Sequence, residues 1–273
     1  MKKLIFTLTL VILMAIGCMN NKPAEYTILG DYTPYDAIPE KLIGKVEKIV
    51  EKNYWTIPDG DIFKKSNSIT IKDRDSINWT NDFEVIFDVT GGLLSCNYID
   101  ENDKSIRKWE LLRENGLLTS AKATENDTVR MIQRIKCNTG GEFTEIGYYR
   151  PVADTLVGKF IITNSEKKDT VTYQYYNYKG GIGGKMIFLY NDGGQFLRRE
   201  TYNKDGAYTG SIEVKYNDKG KMSELAFYDK DKKSTGVNHF TYEYDQKGNW
   251  TKAVVKDDKG FVVIEERTYT YFE

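Results

Sequence analysis

One pattern recurs along this chain: a large or apolar residue, then Asn or Asp, two residues, Gly, one residue and an apolar residue. It reads Tyr190-Asn191-Asp192-Gly193-Gly194-Gln195-Phe196, then Tyr216-Asn217-Asp218-Lys219-Gly220-Lys221-Met222, then Tyr244-Asp245-Gln246-Lys247-Gly248-Asn249-Trp250. The spacings are 26 and 28 residues, and Tyr271 lies 27 further on. Looser copies sit at Phe87-Asp88 with Gly91, at Cys137-Asn138 with Gly141, and at Leu112 with Gly116, where Arg113 replaces the Asn or Asp. The copy expected near Ile162-Thr163-Asn164 has lost its glycine. Self-similarity at a fixed period of this size marks a repeat architecture.

The chemistry of each copy names its local structure. Asn or Asp bonds its own backbone two residues on, and Gly supplies the positive φ that closes a turn. The flanking runs Ile212-Glu213-Val214-Lys215-Tyr216 and Phe240-Thr241-Tyr242-Glu243-Tyr244 alternate apolar and polar, the period of a half-buried strand. Further turn signals lie halfway between copies, at Asn203-Lys204-Asp205-Gly206 and Asp257-Asp258-Lys259-Gly260. Each period is therefore one β-hairpin, with repeat turns at Asn191 and Gly194, Asn217 and Gly220, and Asp245 and Gly248. The fold class is all-β: an antiparallel meander of hairpin repeats forming a long twisted or partly wrapped sheet over 37–273, with the repeats clearest in 185–273.

The segment Tyr244-Asp245-Gln246-Lys247-Gly248-Asn249-Trp250 resembles the YD, or RHS-type, repeat, whose kernel is Tyr-Asp-x-x-Gly followed by Asn or Arg and an apolar residue. The copies at 190 and 216 have Asn for Asp and lack the Asn or Arg after Gly. Large YD proteins wrap their repeats into a hollow shell around a toxin. This chain is too short for that, and instead resembles small exported lipoproteins with degenerate YD-like repeats, a membership that implies no particular activity.

The N-terminus gives an address. Met1-Lys2-Lys3 precedes the uncharged run Leu4–Ile16, which at 13 residues is too short to span a bilayer as a helix and reads as an export signal, 1–17. Ala15-Ile16-Gly17-Cys18 resembles a bacterial lipobox, with Ala15 where that pattern usually has Leu. The resemblance implies lipidation of Cys18, hence an outer-membrane lipoprotein of the cell envelope, facing either the periplasm or the cell exterior, with 18–36 as anchor and tether. Removing 1–17 takes two lysines and leaves 37 basic and 40 acidic residues, net −3. That balance gives no footprint for nucleic acid. Ile38, Leu42, Val46, Ile49 and Val50 would line a helix face, while Val46, Val50 and Tyr54 would line a strand face. Gly44 and the following Tyr54-Trp55 favour the strand, with Pro58-Asp59-Gly60 as its turn.

Catalytic constellations are sparse. His239 is the one histidine, so a multi-histidine metal site is excluded, and its place before Phe240 reads as an exposed strand start. Acid clusters such as Asp229-Lys230-Asp231 lack the calcium-loop spacing. Two acids suffice for glycoside hydrolysis, but among 40 acidic residues none is singled out, so a carboxylate-dependent glycan hydrolase is the least favoured reading. No cofactor or metal is implied. Counting strands puts Cys96 near the second and Cys137 near the fifth of the meander, too far apart for a disulfide in a flat sheet, which predicts two unbridged, buried thiols.

The aromatics are the most suggestive set. In Tyr173-Gln174-Tyr175-Tyr176-Asn177-Tyr178, alternation places Tyr173 and Tyr175 on one face and Tyr176 and Tyr178 on the other. Cross-strand packing accounts for such rings, as does a platform for sugars or for a partner's apolar residues. Gly180-Gly181-Ile182-Gly183-Gly184 reads as a mobile loop. The leading expectation is an exported, lipid-anchored, non-catalytic binding surface for an extracellular glycan or protein, with Tyr176, Tyr178 and Trp250 as ligand-binding residues. The alternative is a periplasm-facing structural or envelope-assembly lipoprotein.

Overall fold

Ten of the connections between strands are built from one local device. At Asp88, Asp100, Asn138, Asn177, Asn191, Asn203, Asn217, Asp229, Asp245 and Asp257 the side-chain Oδ1 accepts the backbone N–H groups two and four residues on, at 2.7–3.0 Å. The residue three places on has positive φ and is usually Gly, as at Gly194, Gly220 and Gly248. The copy without its glycine turns at Ser165, with Lys168 at φ 59°. The copy carrying Arg113 turns instead through Asn115-Gly116, both at positive φ, the geometry of a two-residue hairpin.

The computed structural model describes residues 27–28, 40–59, 62–70 and 82–273, so the expected signal segment and Cys18 lie outside the described residues. A short pairing of β1 (Thr27–Ile28) with β2 (Glu40–Lys41) precedes β3 (Val46–Asp59), β4 (Ile62–Ser68), β5 (Asp82–Phe87), β6 (Leu93–Ile99), β7 (Ser105–Glu114), β8 (Leu117–Glu125), β9 (Thr128–Cys137) and β10 (Phe143–Arg150). Then come β11 (Thr155–Asn164), β12 (Thr170–Asn177), β13 (Ile182–Tyr190), β14 (Phe196–Asn203), β15 (Tyr208–Tyr216), β16 (Met222–Tyr228), β17 (Ser234–Tyr244), β18 (Trp250–Asp257) and β19 (Val262–Tyr271). From β5 onward each strand pairs antiparallel with the next. β3 pairs with β19 on one side and β5 on the other, so the meander does not stop at partial wrapping but closes into a sixteen-strand barrel. β4 lies along the far half of the β3 edge that β5 uses nearer its start.

Ladder register assigns the two faces. Phe160 opposes Tyr175, Tyr173 opposes Met186, Val214 opposes Leu225, and Phe240 opposes Val255; all of these belong to one apolar cluster. A round barrel of sixteen strands encloses a water channel. Here Ala121, Phe188, Leu225 and Ala253 are 0% exposed, so the walls lie close enough for their inward side chains to fill the space. Edge-to-face contacts such as Phe160 with Tyr173 and Tyr173 with Phe188, at 6.3 and 5.1 Å between ring centroids, each add about 0.5–1.5 kcal/mol.

The outer face carries charge ladders. Lys108, Glu110 and Lys122 form one, Lys136, Glu145 and Lys159 a second, and Arg198 with Glu200 and Glu213 a third. A barrel in lipid needs an apolar outer band, and a Lys or Arg at its midplane costs about 2–4 kcal/mol. This wall therefore stands in water.

Tyrosine hydroxyls tie successive hairpins together. Tyr216, Tyr242 and Tyr269 donate to the carbonyl oxygens of Phe196, Met222 and Trp250 at 2.6–2.8 Å. Each acceptor is the apolar residue that closes the preceding repeat.

The 46–54 stretch is strand, as favoured, but an extra residue at Glu47 shifts the register opposite Thr270 and Tyr271. Val46 is thereby turned into the core, while Val50 and Tyr54 share the opposite face. Pro58 and Asp59 are not a turn: they extend β3 and pair with Phe63 and Ile62, and Gly60 lies outside the described residues. Cys96 on β6 and Cys137 on β9 are unbridged, Cys96 buried and Cys137 only half-buried.

Two of the ten Asn or Asp turns lack glycine at the positive-φ position. Lys232 has φ 59° and Asp103 φ 63°, a region that costs a residue with a Cβ about 1–2 kcal/mol. Because glycine gives back part of this gain through unfolded-chain entropy, Lys232→Gly is expected to stabilise the protein by about 0.5–1 kcal/mol, read as a higher urea midpoint at unchanged slope. A lower midpoint would mean that the contact of Lys232 with the Tyr208 ring, at 5.8 Å, outweighs the backbone strain.

Candidate ligand-binding face

The halfway turns lie at the end of the barrel opposite the repeat turns, and three of them carry a motif of their own: Tyr176-Asn177, Tyr202-Asn203 and Tyr228-Asp229. Immediately before each tyrosine the ladder register shifts, between Tyr175 and Tyr176, Thr201 and Tyr202, and Phe227 and Tyr228; a fourth shift falls between Tyr148 and Tyr149. The residue opposite each shift is a glycine: Gly158, Gly184, Gly210 and Gly236, at intervals of one period. At Gly184 and Gly210 a Cβ would sit 2.7 Å from the carbonyl oxygens of Tyr202 and Tyr228, so only glycine admits the bulged backbone there.

A row of rings lines the outer rim here. Tyr149, Tyr176, Tyr202, Tyr208 and Tyr228 are half-buried and Tyr178 is exposed. Tyr202 and Tyr208 meet edge to face at 5.8 Å. The Tyr202 hydroxyl donates to Glu200 at 2.6 Å and that of Tyr208 to Ser211 at 2.7 Å, which fixes the rings. The Glu200 hydrogen bond and then burial raise the Tyr202 hydroxyl above its ordinary pKa, so it stays a donor. Arg134 lies over Tyr149 at 4.4 Å and Lys185 over Tyr202 at 4.7 Å.

Beside this row, on β13 to β16, lies a groove of about 300 Å³. Leu189, Leu197 and Ala226 supply its apolar lining and Tyr228 one wall. Its charged groups are mutually paired: Arg198 with Glu213 at 2.9 Å and Lys215 with Glu224 at 2.7 Å. Burial, and then the Glu213 carboxylate, raise the Tyr228 hydroxyl's pKa.

The expected site residues fall in different places. Tyr176 and Tyr178 are on the outer rim, and Tyr173 and Tyr175 point inward, as alternation placed them. Trp250 is 4% exposed, with the Arg267 guanidinium 3.8 Å from its ring; it belongs to the core, so its ring offers no face to a ligand, contrary to the expectation from sequence. Gly180–Gly184 is not a loop: Gly180 and Gly181 close the turn at Asn177, and Ile182 onward is β13. His239 is exposed, 4.0 Å from Glu224. The repeat-turn residues occupy their turns, but Asp245 does more than turn the chain. Its Oδ1 serves the turn while its Oδ2 accepts the Tyr271 hydroxyl at 2.6 Å. The rim tyrosines at 149, 202, 208 and 228 went unnoticed in the sequence, although Tyr-Asn or Tyr-Asp at 176, 202 and 228 repeats the period already recognised.

No protein family model matches the chain, and no curated protein matches it. Similar solved structures include a porin-like protein from Bacteroides uniformis, with TM-score 0.37 and 12% identity over 84% of this chain and 98% of that one. A porin-like protein from Bacteroides vulgatus has TM-score 0.40 and 10% identity over 83% and 99%. A LolA-superfamily protein from Nitrosomonas europaea has TM-score 0.25 and 7% identity over 82% and 84%. At this distance, what the chain does has to be read from its own residues.

Proposed function

We propose that this protein is an exported β-barrel, anchored through a lipid on Cys18, that acts as a non-catalytic binding surface for an extracellular glycan or protein. The observation that carries the reading is the outward row of tyrosines at the end of the barrel opposite the one where the chain joins it. Ile43 is held at the turn of Asp245, its N–H donating to the Asn249 Oδ1 at 2.7 Å, whereas Tyr176, Tyr202 and Tyr228 end their strands at the other rim. A tether leaving from Leu42 would hold that lower end toward the membrane and present the rings away from it.

Protease shaving of intact cells tests the orientation, with a known periplasmic protein as control. Digestion of the barrel while the control survives is the expected result. Protection until the outer membrane is opened would sink the extracellular ligand and favour a periplasm-facing structural or assembly role.

A further inference from the structure

We propose that the groove on β13 to β16 binds a neutral, linear glycan, and that the chain runs from it along the tyrosine rim; this rests on the binding-surface reading above. Three observations choose the ligand class. The groove joins an apolar lining of Leu189 and Ala226 to an aromatic wall, Tyr228, which suits the apolar face of a sugar ring. Its cations and anions are already matched, Arg198 with Glu213 and Lys215 with Glu224. An anionic or cationic ligand would have to break a pair and leave a like charge beside it, whereas a hydroxyl both donates and accepts and fits between paired groups without displacing either.

The third observation concerns length. The rim tyrosines at 176, 202 and 228 stand on every second strand, so adjacent rings are separated laterally by about 10 Å, two strand spacings. Between them stands Tyr208, against Tyr202. A monosaccharide reaches one ring; an extended oligosaccharide reaches several. A protein partner fits less well. A standard interface covers about 800 Å² on each side around a well-packed centre of aromatic or Arg anchors, and here the exposed large apolar residue at the groove is Leu197 alone among the described residues, at 39%.

The test is calorimetric titration of the detergent-solubilised full-length protein with neutral hexasaccharides of glucose, mannose and xylose in α and β linkage, beside hexagalacturonate as the charged counterpart. At least one neutral hexasaccharide is expected to bind, and to bind more tightly than its monosaccharide. Tyr228→Ala and, separately, Glu213→Gln are each expected to weaken it by about tenfold or more, equivalent to about 1.4 kcal/mol, with the melting temperature held. Glu213 is partly exposed on the outer face, so its conservative variant keeps the test decisive even where Tyr228→Ala folds poorly. Neutral binding unchanged in both variants would overturn the groove while leaving a glycan-binding barrel in place. Preference for hexagalacturonate would overturn the neutral class. Binding to none of the neutral hexasaccharides would overturn this inference outright, and the binding-surface reading would then stand or fall on the shaving result.

Discussion

Replacing Glu51 by alanine is expected to remove about 3–5 kcal/mol of folding free energy and to lower the melting temperature by about 6–20 °C for a chain of this size. Glu51 and Arg267 face each other across β3 and β19, with Arg267 Nε donating to Glu51 Oε2 at 2.7 Å and side chains 5% and 9% exposed. The guanidinium is 3.8 Å from the Trp250 ring and 5.8 Å from that of Phe83. Removing the carboxylate takes from this guanidinium, set between aromatic rings, the charge to which Nε is bonded, and the desolvation already incurred is no longer offset by that pair. The pair itself need not be a large net stabiliser, since two charges taken from water roughly cancel their mutual attraction. Glu51→Leu combined with Arg267→Met is therefore expected to recover most of the loss. A cost below about 1 kcal/mol for Glu51→Ala would show that water reaches Arg267 in the folded barrel. The location gives the number its meaning: β3 is the strand that converts an open meander into a ring, and its ladder with β5 spans only Lys48–Glu51 against Phe83–Ile86.

That ring closure was the part of the fold least visible in the sequence. The hairpins were legible because every signal for them is local: Asn191 bonds Gly193 and Gln195, Gly194 takes the positive φ, and the next turn begins a fixed number of residues later. Closure depends on Tyr269 meeting Ile49 and Arg267 meeting Glu51, partners more than 200 residues apart whose association leaves no periodic trace. Face assignment failed for a different reason. Alternation counted from one end of a strand goes wrong past a bulge, and β18 has one at its start: Trp250 opposes Tyr244 and Lys252 opposes Glu243, so Thr251 is the extra residue and Trp250 turns inward. Of the rim tyrosines, Tyr208 was hidden by the same physics: the extra residue Thr209 turns it outward beside Tyr202, and its sequence mark is Gly210 opposite Thr201, an isolated glycine that is ambiguous until its partner is known. Tyr176, Tyr202 and Tyr228 keep the plain alternation of their own strands.

Asn249→Ala is expected to be the second most damaging change, at about 2–4 kcal/mol, with an effect concentrated where the chain joins the barrel. The Asn249 side chain is 0% exposed. Its Oδ1 accepts the Ile43 N–H at 2.7 Å, and its Nδ2 donates to the Ile43 carbonyl at 2.7 Å and the Tyr271 hydroxyl at 2.9 Å. One amide thus satisfies both backbone groups of Ile43, as a neighbouring strand would. Burial, and then the Asp245 hydrogen bond, push the Tyr271 hydroxyl up to about 12, so it remains protonated and bonded to Asp245 across the neutral range. The copy that best matches the YD kernel is thus the one beside the seam: its Asn grips the incoming segment, and its Asp grips the closing tyrosine. At the corresponding places after Gly194 and Gly220 stand Gln195 and Lys221, on the β13–β14 and β15–β16 hairpins, away from the seam. Asn249→Asp discriminates this account from one of packing alone. It preserves volume and the acceptor for Ile43 N–H, yet sets an oxygen against the Ile43 carbonyl, so it is expected to be about as harmful as alanine. In both variants the Ile43 amide should exchange its hydrogen much faster while amides at the centre of β15 keep their protection. Uniformly faster exchange through β15 would instead make the clip part of the global folding unit, and an Asn249→Asp variant of near wild-type stability would remove the amide from the seam.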